Sequence, residues 1–137
     1  RKQIMEKIVV SGKRKACIAR ATILEGNGII TINKKPYEIL PLFRRLMIEE
    51  PLKIAKNTLG SINYDISVNV AGGGQQARIE AARLAIAKAL VKITNSKDLK
   101  KAFSNYDKNL LVADIRRKED RKPNDSKARA KRQKSYR

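Results

Sequence analysis

Three places in the chain carry residues suited to holding an anion. The run Ser11-Gly12-Lys13-Arg14-Lys15, with Arg20 just beyond, has no acid between Glu6 and Glu25. Ammonium and guanidinium groups without local partners suit phosphate contacts that order no further chain. The triplet Gly72-Gly73-Gly74 precedes a helical pattern, where bare backbone N–H groups and the helix dipole can seat a phosphate. The same glycines also suit a tight strand-to-helix turn with close packing, and both readings stand. Residues Lys127 to Arg137 hold six positive side chains in eleven and no acid. Guanidinium groups bridge phosphate oxygens in pairs, and Tyr136 can stack on an unpaired base.

Other chemistry is poorly served. The 137 residues include no histidine, no tryptophan and one cysteine, Cys17, so metal sites, disulfide frameworks and histidine acid–base catalysis lack their parts. Cys17, among Ala16, Ile18 and Ala19, reads as a small core residue. Gly72-x-Gly74-x-x-Ala77 formally fits a dinucleotide fingerprint, yet the strand before it alternates polar and apolar residues instead of being apolar throughout. A phosphate-cradling loop ending at Gly12-Lys13 needs glycine where Lys7 stands. Neither a cofactor nor a small-molecule substrate is expected. No apolar run approaches 18 residues, and Glu6 and Lys7 interrupt the start where an export signal is apolar, so no membrane partner is expected.

The elements that position these groups are legible from patterning. Lys7–Val10 and Lys15–Leu24 read as strands with Ser11–Arg14 as the turn between them, and Ile29–Ile32 as a third after Gly26-Asn27-Gly28. Leu42, Phe43, Leu46 and Met47 recur at helical spacing opposite Arg44, Arg45, Glu49 and Glu50, predicting a short amphipathic helix that Pro51 ends. Leu52–Lys56 reads as a second short piece, with Pro51 in its first turn. From Ser61 to Val70 apolar and polar residues alternate without a break, a half-exposed strand. Gln75–Ile93 carries the stripe Ile79, Ala82, Ile86, Ala89 or Leu90, and Ile93, the longest helix, and Ser96 caps another through about Tyr106.

Beyond Ile115 the composition changes. Residues 116–137 contain eleven Lys or Arg, three acids and no Val, Leu, Ile or Phe. Nothing there can be buried to offset ordering entropy, so residues 1–115 are expected to form the globular body and 116–137 an extended basic tail, disordered when unbound. Of the net charge of +19, the tail holds +8 and the body +11. At about 3.3–3.6 Å per extended residue the tail spans roughly 70 Å. A body and tail both this basic call for a polyanionic partner.

Three blocks together resemble one family, the archaeal branch of small-subunit ribosomal protein nine: Ser11-Gly-Lys-Arg-Lys15 continuing to Ala19-Arg20-Ala21; Val70-x-Gly-Gly-Gly74 with Ala82-Arg-Leu-Ala-Ile-Ala-Lys-Ala-Leu90; and Asp114-x-Arg116-Arg117 leading to Ala128-Arg129 and Gln133-Lys-Ser-Tyr-Arg137. The resemblance implies an α/β fold, an α+β two-layer sandwich whose four-stranded, mainly antiparallel sheet bears helices on one face, with a left-handed βαβ crossover and a long basic C-terminal tail. It implies a cytoplasmic, ribosome-bound protein of the small-subunit head, with ribosomal RNA, peptidyl-site tRNA and neighbouring head proteins as partners and no enzymatic activity. Carried onto this sequence, the ribosomal RNA contacts are Lys13, Arg14, Lys15, Arg20, Gly72, Gly73, Gly74, Arg116, Arg117, Arg121, Lys122, Arg129, Lys131 and Arg132. The tRNA anticodon stem-loop falls to Lys134, Ser135, Tyr136 and Arg137. The sequence departs from the family pattern at Arg78, commonly glutamine, near Asn124, Asp125 and Lys127, commonly glycine, and near Asp120, commonly proline. Asn and Asp accept turn conformations that most residues resist.

Two other classes compete. Charge alone also suits a DNA-compacting protein, and the glycine turn a phosphate-handling enzyme. The enzyme reading lacks an acid or base at the turn, since Glu80 lies along the helix and Asp65 most of a strand away.

Overall fold

The computed structural model describes residues 7–135. Five strands, β1 (Ile8–Arg14), β2 (Cys17–Glu25), β3 (Ile30–Ile32), β4 (Lys35–Pro36) and β5 (Tyr64–Ala71), form one sheet in the order β1-β2-β5-β3-β4. The β1-β2 and β2-β5 pairs are antiparallel, β3 runs parallel to β5, and β4 folds back antiparallel on β3. Three helices follow the pattern: α1 (Leu42–Leu59), α2 (Gln75–Thr94) and α3 (Lys97–Tyr106). The connection between the parallel strands β3 and β5 runs through α1.

The sheet has one covered face and one open face. Cys17, Ala19, Ala21 and Ile23 of β2 and Ile66, Val68 and Val70 of β5 are buried, while the residues between them on β2 point to the open side. On the covered face α2 lies over β1, β2 and β5, and α1 and α3 close the core behind it. Small residues bring α2 close: Ala81, Ala82, Ala85 and Ala89 are all fully buried. Gly12 completes the fit from β1, because a Cβ there would stand 2.5 Å from the Ala81 carbonyl oxygen. This is the two-layer sandwich expected, with helices on one face.

The structure corrects four expectations. The sheet has five strands instead of four: Asn33 and Lys34 both adopt positive φ (51° and 66°), making a two-residue turn that folds Lys35–Pro36 back as the extra strand. Strand β1 runs on through Ser11–Arg14, and the hairpin turn falls at Lys15–Ala16. The ladder extends because Gly12 fits under α2, Lys13 points to solvent and Arg14 meets acids. Helix α1 is continuous through Pro51. Proline has no N–H for the Met47 carbonyl, but its ring is buried in the core, and that packing offsets the missing bond. Finally, α1 buries Ile48, Pro51, Leu52 and Ala55, whereas Leu42, Phe43 and Leu46 remain exposed.

Elsewhere patterning and structure agree. The Ser96 hydroxyl accepts from the Leu99 N–H at 3.2 Å and caps α3, and Leu99 and Phe103 carry its packing. Asp65 has a role that the sequence did not disclose. Its Oδ1 accepts from the N–H groups of Asn27, Gly28 and Ile29 at 2.9–3.1 Å, so one β5 carboxylate holds the β2–β3 turn.

Candidate nucleic-acid interface

The hairpin tip divides its cations between two faces. Lys13 lies opposite Ile18 and Arg20 opposite Ser11, both exposed on the open face, and Lys15 is exposed in the turn. Arg14 points to the covered side instead. Its Nε donates to Glu80 Oε2 at 2.6 Å and its Nη2 lies 3.6 Å from Asp114 Oδ2, leaving the side chain 13 % exposed. The acids missing locally are therefore supplied by α2 and by the segment before the tail. Arg14 is a structural clamp, and Lys13, Lys15 and Arg20 stay exposed with no ion pair among the described residues.

That clamp also fixes the root of the tail. Arg14 Nη1 donates to the Arg116 carbonyl at 3.3 Å, and Arg117 Nη2 donates to the Lys15 carbonyl at 2.5 Å. Arg116 and Arg117, read from composition as the first tail residues, are thus tied to the hairpin. Asp114 accepts from the Arg116 guanidinium at 2.7–3.1 Å and from the Arg116 N–H at 3.0 Å. These bonds, with Arg14 nearby, lower its pKa from 3.8 to about 2. The folded carboxyl holds its proton less tightly than the unfolded one, so its stabilising effect is present above about pH 3.8 and is lost as pH falls through about 2. In a carboxyl-carbon NMR titration Asp114 is expected to move with a midpoint near 2. A midpoint near 3.8 means that the Asp114–Arg116 bonds do not form.

The glycine triplet separates into two roles. Gly72 and Gly73 have φ of 82° and 58°. A Cβ on Gly72 would stand 2.8 Å from the Ala16 carbonyl, and one on Gly73 would collide with Cys17 Sγ. The loop therefore packs directly on the hairpin turn, and the Cys17 thiol donates to the Gly72 carbonyl at 3.0 Å. Gly74 differs, with nothing within 4 Å of its missing Cβ. It is the N-cap of α2, whose first-turn N–H groups have no side-chain cap. Arg78 Nε donates to the Gly72 carbonyl at 2.9 Å, holding a cation over the same loop. From sequence Arg78 divides evenly between an RNA contact and a solvated helix charge; its position one turn into the helix after a glycine loop is the signal for its place here.

The hairpin tip, the glycine loop and the tail root therefore meet at one end of the sheet, although they lie near positions 15, 73 and 116. Beyond the root no helix or strand forms among the described residues apart from one isolated bridge, Lys122 to Asp125. Asn124 takes φ 66° in that turn, and Asp125 Oδ1 accepts from the Arg132 N–H at 3.1 Å. Asn and Asp thus supply a turn where glycines were expected. Arg121, Lys122, Lys131, Arg132, Lys134 and Ser135 are exposed. Arg129 pairs with Glu119 at 2.9 Å, but both side chains are largely in solvent and the pair is weak. Tyr136 and Arg137 lie outside the described residues.

Residues 12–137 match the family described as ribosomal protein S9/S16. The small ribosomal subunit protein uS9 of Methanococcus vannielii is 46 % identical over 136 residues, covering 97 % of this chain and all of that protein. The uS9 protein of Methanococcus maripaludis strain C7 is 45 % identical over the same length, with the same coverage. The chain belongs to the ribosomal protein S9/S16 family. The matched stretch spans the hairpin tip, the glycine loop and the whole tail. Among the described residues no group of three or more Cys, Asp or Glu is placed to hold a metal, and no helix is long and apolar enough to cross a membrane.

A second ionic cluster supports the first without joining it. Arg83 of α2 donates from Nη2 to Glu50 at 2.6 Å and from Nη1 to Asp107 at 3.3 Å, tying α1 and the end of α3 to the helix that carries Glu80. Its side chain is 12 % exposed. Partners so far apart in sequence leave no local signal for this ionic role of Arg83.

Proposed function

We propose that this chain is a non-enzymatic structural protein of the small ribosomal subunit that binds ribosomal RNA. Its body presents the end of the sheet where hairpin, glycine loop and tail root meet, and that convergence carries the reading. Lys13, Lys15 and Arg20 meet phosphates from the hairpin and open face, Gly74 with the first turn of α2 seats another, and Gly72, Gly73 and Arg14 hold the shape. Arg116 and Arg117 lead the tail outward, and Arg121, Lys122, Arg129, Lys131 and Arg132 follow RNA as a segment that orders on binding. In this reading Lys134, Ser135, Tyr136 and Arg137 reach the anticodon stem-loop of peptidyl-site tRNA in the subunit head. The family supports a ribosomal role; the tRNA contact rests on the length and charge of the tail and on the likeness of its last residues to archaeal members.

Crosslinking within intact small subunits tests both parts. Lys13 is expected to join ribosomal RNA, and Lys134 to join tRNA when the peptidyl site is occupied. Crosslinks from Lys13 to protein alone reject the body surface, and failure of Lys134 to reach tRNA rejects the tail's role while leaving the RNA-binding body intact.

A further inference from the structure

The apolar residues at the start of α1 are unused by the core and by any phosphate contact. Ile39 is 64 % exposed, Leu42 65 %, Phe43 81 % and Leu46 40 %. Leu42 and Leu46 are one turn apart, as are Phe43 and Leu46, so the helix presents them as one surface. Together they expose apolar area on the order of several hundred Å², the size at which a patch marks an interaction site.

The patch runs into a groove whose cations identify the occupant. Ile32, Ile39 and Leu40 line the groove together with Lys35, Arg44 and Arg78. None of those three cations makes an ion pair among the described residues. Of the nearby acids Glu49 is already paired with Arg45 at 2.8 Å, and Glu38, beside Ile39, is outnumbered by the three cations. RNA is a poor match, because three aliphatic side chains around one aromatic ring offer its bases little stacking and its phosphates only desolvation. Added strands are excluded too, since the adjacent edge strand β4 is two residues long and Pro36 has no N–H to donate.

We infer that the patch and groove dock a segment of another protein, one that sets apolar side chains on Phe43, Leu42 and Ile39 and carboxylates against Lys35 and Arg44. The inference rests on the proposed reading, in which the chain works inside a particle with other proteins packed beside it. Apolar contact supplies the attraction and the cations select an acidic neighbour.

Full-length chain carrying p-benzoylphenylalanine in place of Phe43, incorporated into small subunits and irradiated, tests this. The expected product joins position 43 to a peptide of a different protein that has apolar residues beside Asp or Glu. Lys35→Glu together with Arg44→Glu is expected to lower the yield roughly tenfold, because like charges then face each other. Crosslinks to RNA, to a second copy of this chain or to nothing overturn the inference, and so does a yield unmoved by the charge reversal. Absence of the chain from the particles overturns the functional reading and this inference together, whereas the other outcomes leave that reading standing.

Discussion

Removing residues 127–137 is expected to flatten the salt dependence of RNA binding by about 4 in the log–log slope. The segment carries six positive side chains and no acid. Each phosphate neutralised on a single strand contributes about −0.7 to that slope, which sets the figure. Between 50 and 200 mM salt the full-length chain should lose on the order of three hundredfold more affinity than the truncated one. Arg129 belongs in the count, because its exposed pair with Glu119 is too weak to withhold it from a phosphate. Filter binding to small-subunit head RNA with tRNA in its peptidyl site, so that Lys134 and Arg137 can meet the anticodon stem-loop, measures both slopes over a salt series. The body should keep its own shallower dependence through Lys13, Lys15 and Arg20, and its unfolding transition should not move, since the clamp at Asp114 to Arg117 lies upstream of the cut. Parallel slopes for the two chains mean that the six cations touch no phosphate, and the tail's proposed role falls with them.

Local physics made most of the architecture legible. Alternation over Ser61–Val70 identified β5 because a strand with one covered face must alternate, and Ile66, Val68 and Val70 are the residues buried. The α2 stripe and the Ser96 cap were readable for the same reason: their cause lies within a few residues. Failures came where the cause lies far along the chain. Arg14 reads as partnerless over residues 7–24, but Glu80 and Asp114 arrive through the fold. Leu42, Phe43 and Leu46 form a well-spaced stripe, yet burial shifts one turn onward to Ile48, Pro51 and Leu52, where α2 and α3 lie. Periodicity gives a helix its apolar side but does not say what covers each turn.

The glycines test whether the site end of the sheet is a packed platform, and two substitutions should part company. Gly12→Ala is expected to destabilise the chain by about 1–3 kcal/mol, the usual range for overpacking. The new Cβ would sit 2.5 Å from the Ala81 carbonyl oxygen and 2.8 Å from the Ala85 amide nitrogen, both backbone atoms of α2. No rotamer change relieves such a contact, so β1 and α2 must separate, and Glu80, next to Ala81, moves away from Arg14. RNA affinity should then fall as well, through loss of the alignment between hairpin and tail root. Gly74→Ala meets nothing within 4 Å, and Gly74 has an ordinary φ of −84°. Gly74 is the N-cap of α2, where alanine is less favourable than glycine, so the change should cost about 0.5–1 kcal/mol, below the cost of Gly12→Ala. Its effect on RNA is informative because the fold is kept. A phosphate seated on the first turn of α2 comes close to this backbone, so a methyl group there should weaken RNA binding in a chain that stays folded. Urea unfolding and RNA binding of the two variants separate the roles. Normal stability for Gly12→Ala refutes the close approach of β1 and α2, and unaltered RNA affinity for Gly74→Ala removes the glycine turn from the RNA surface.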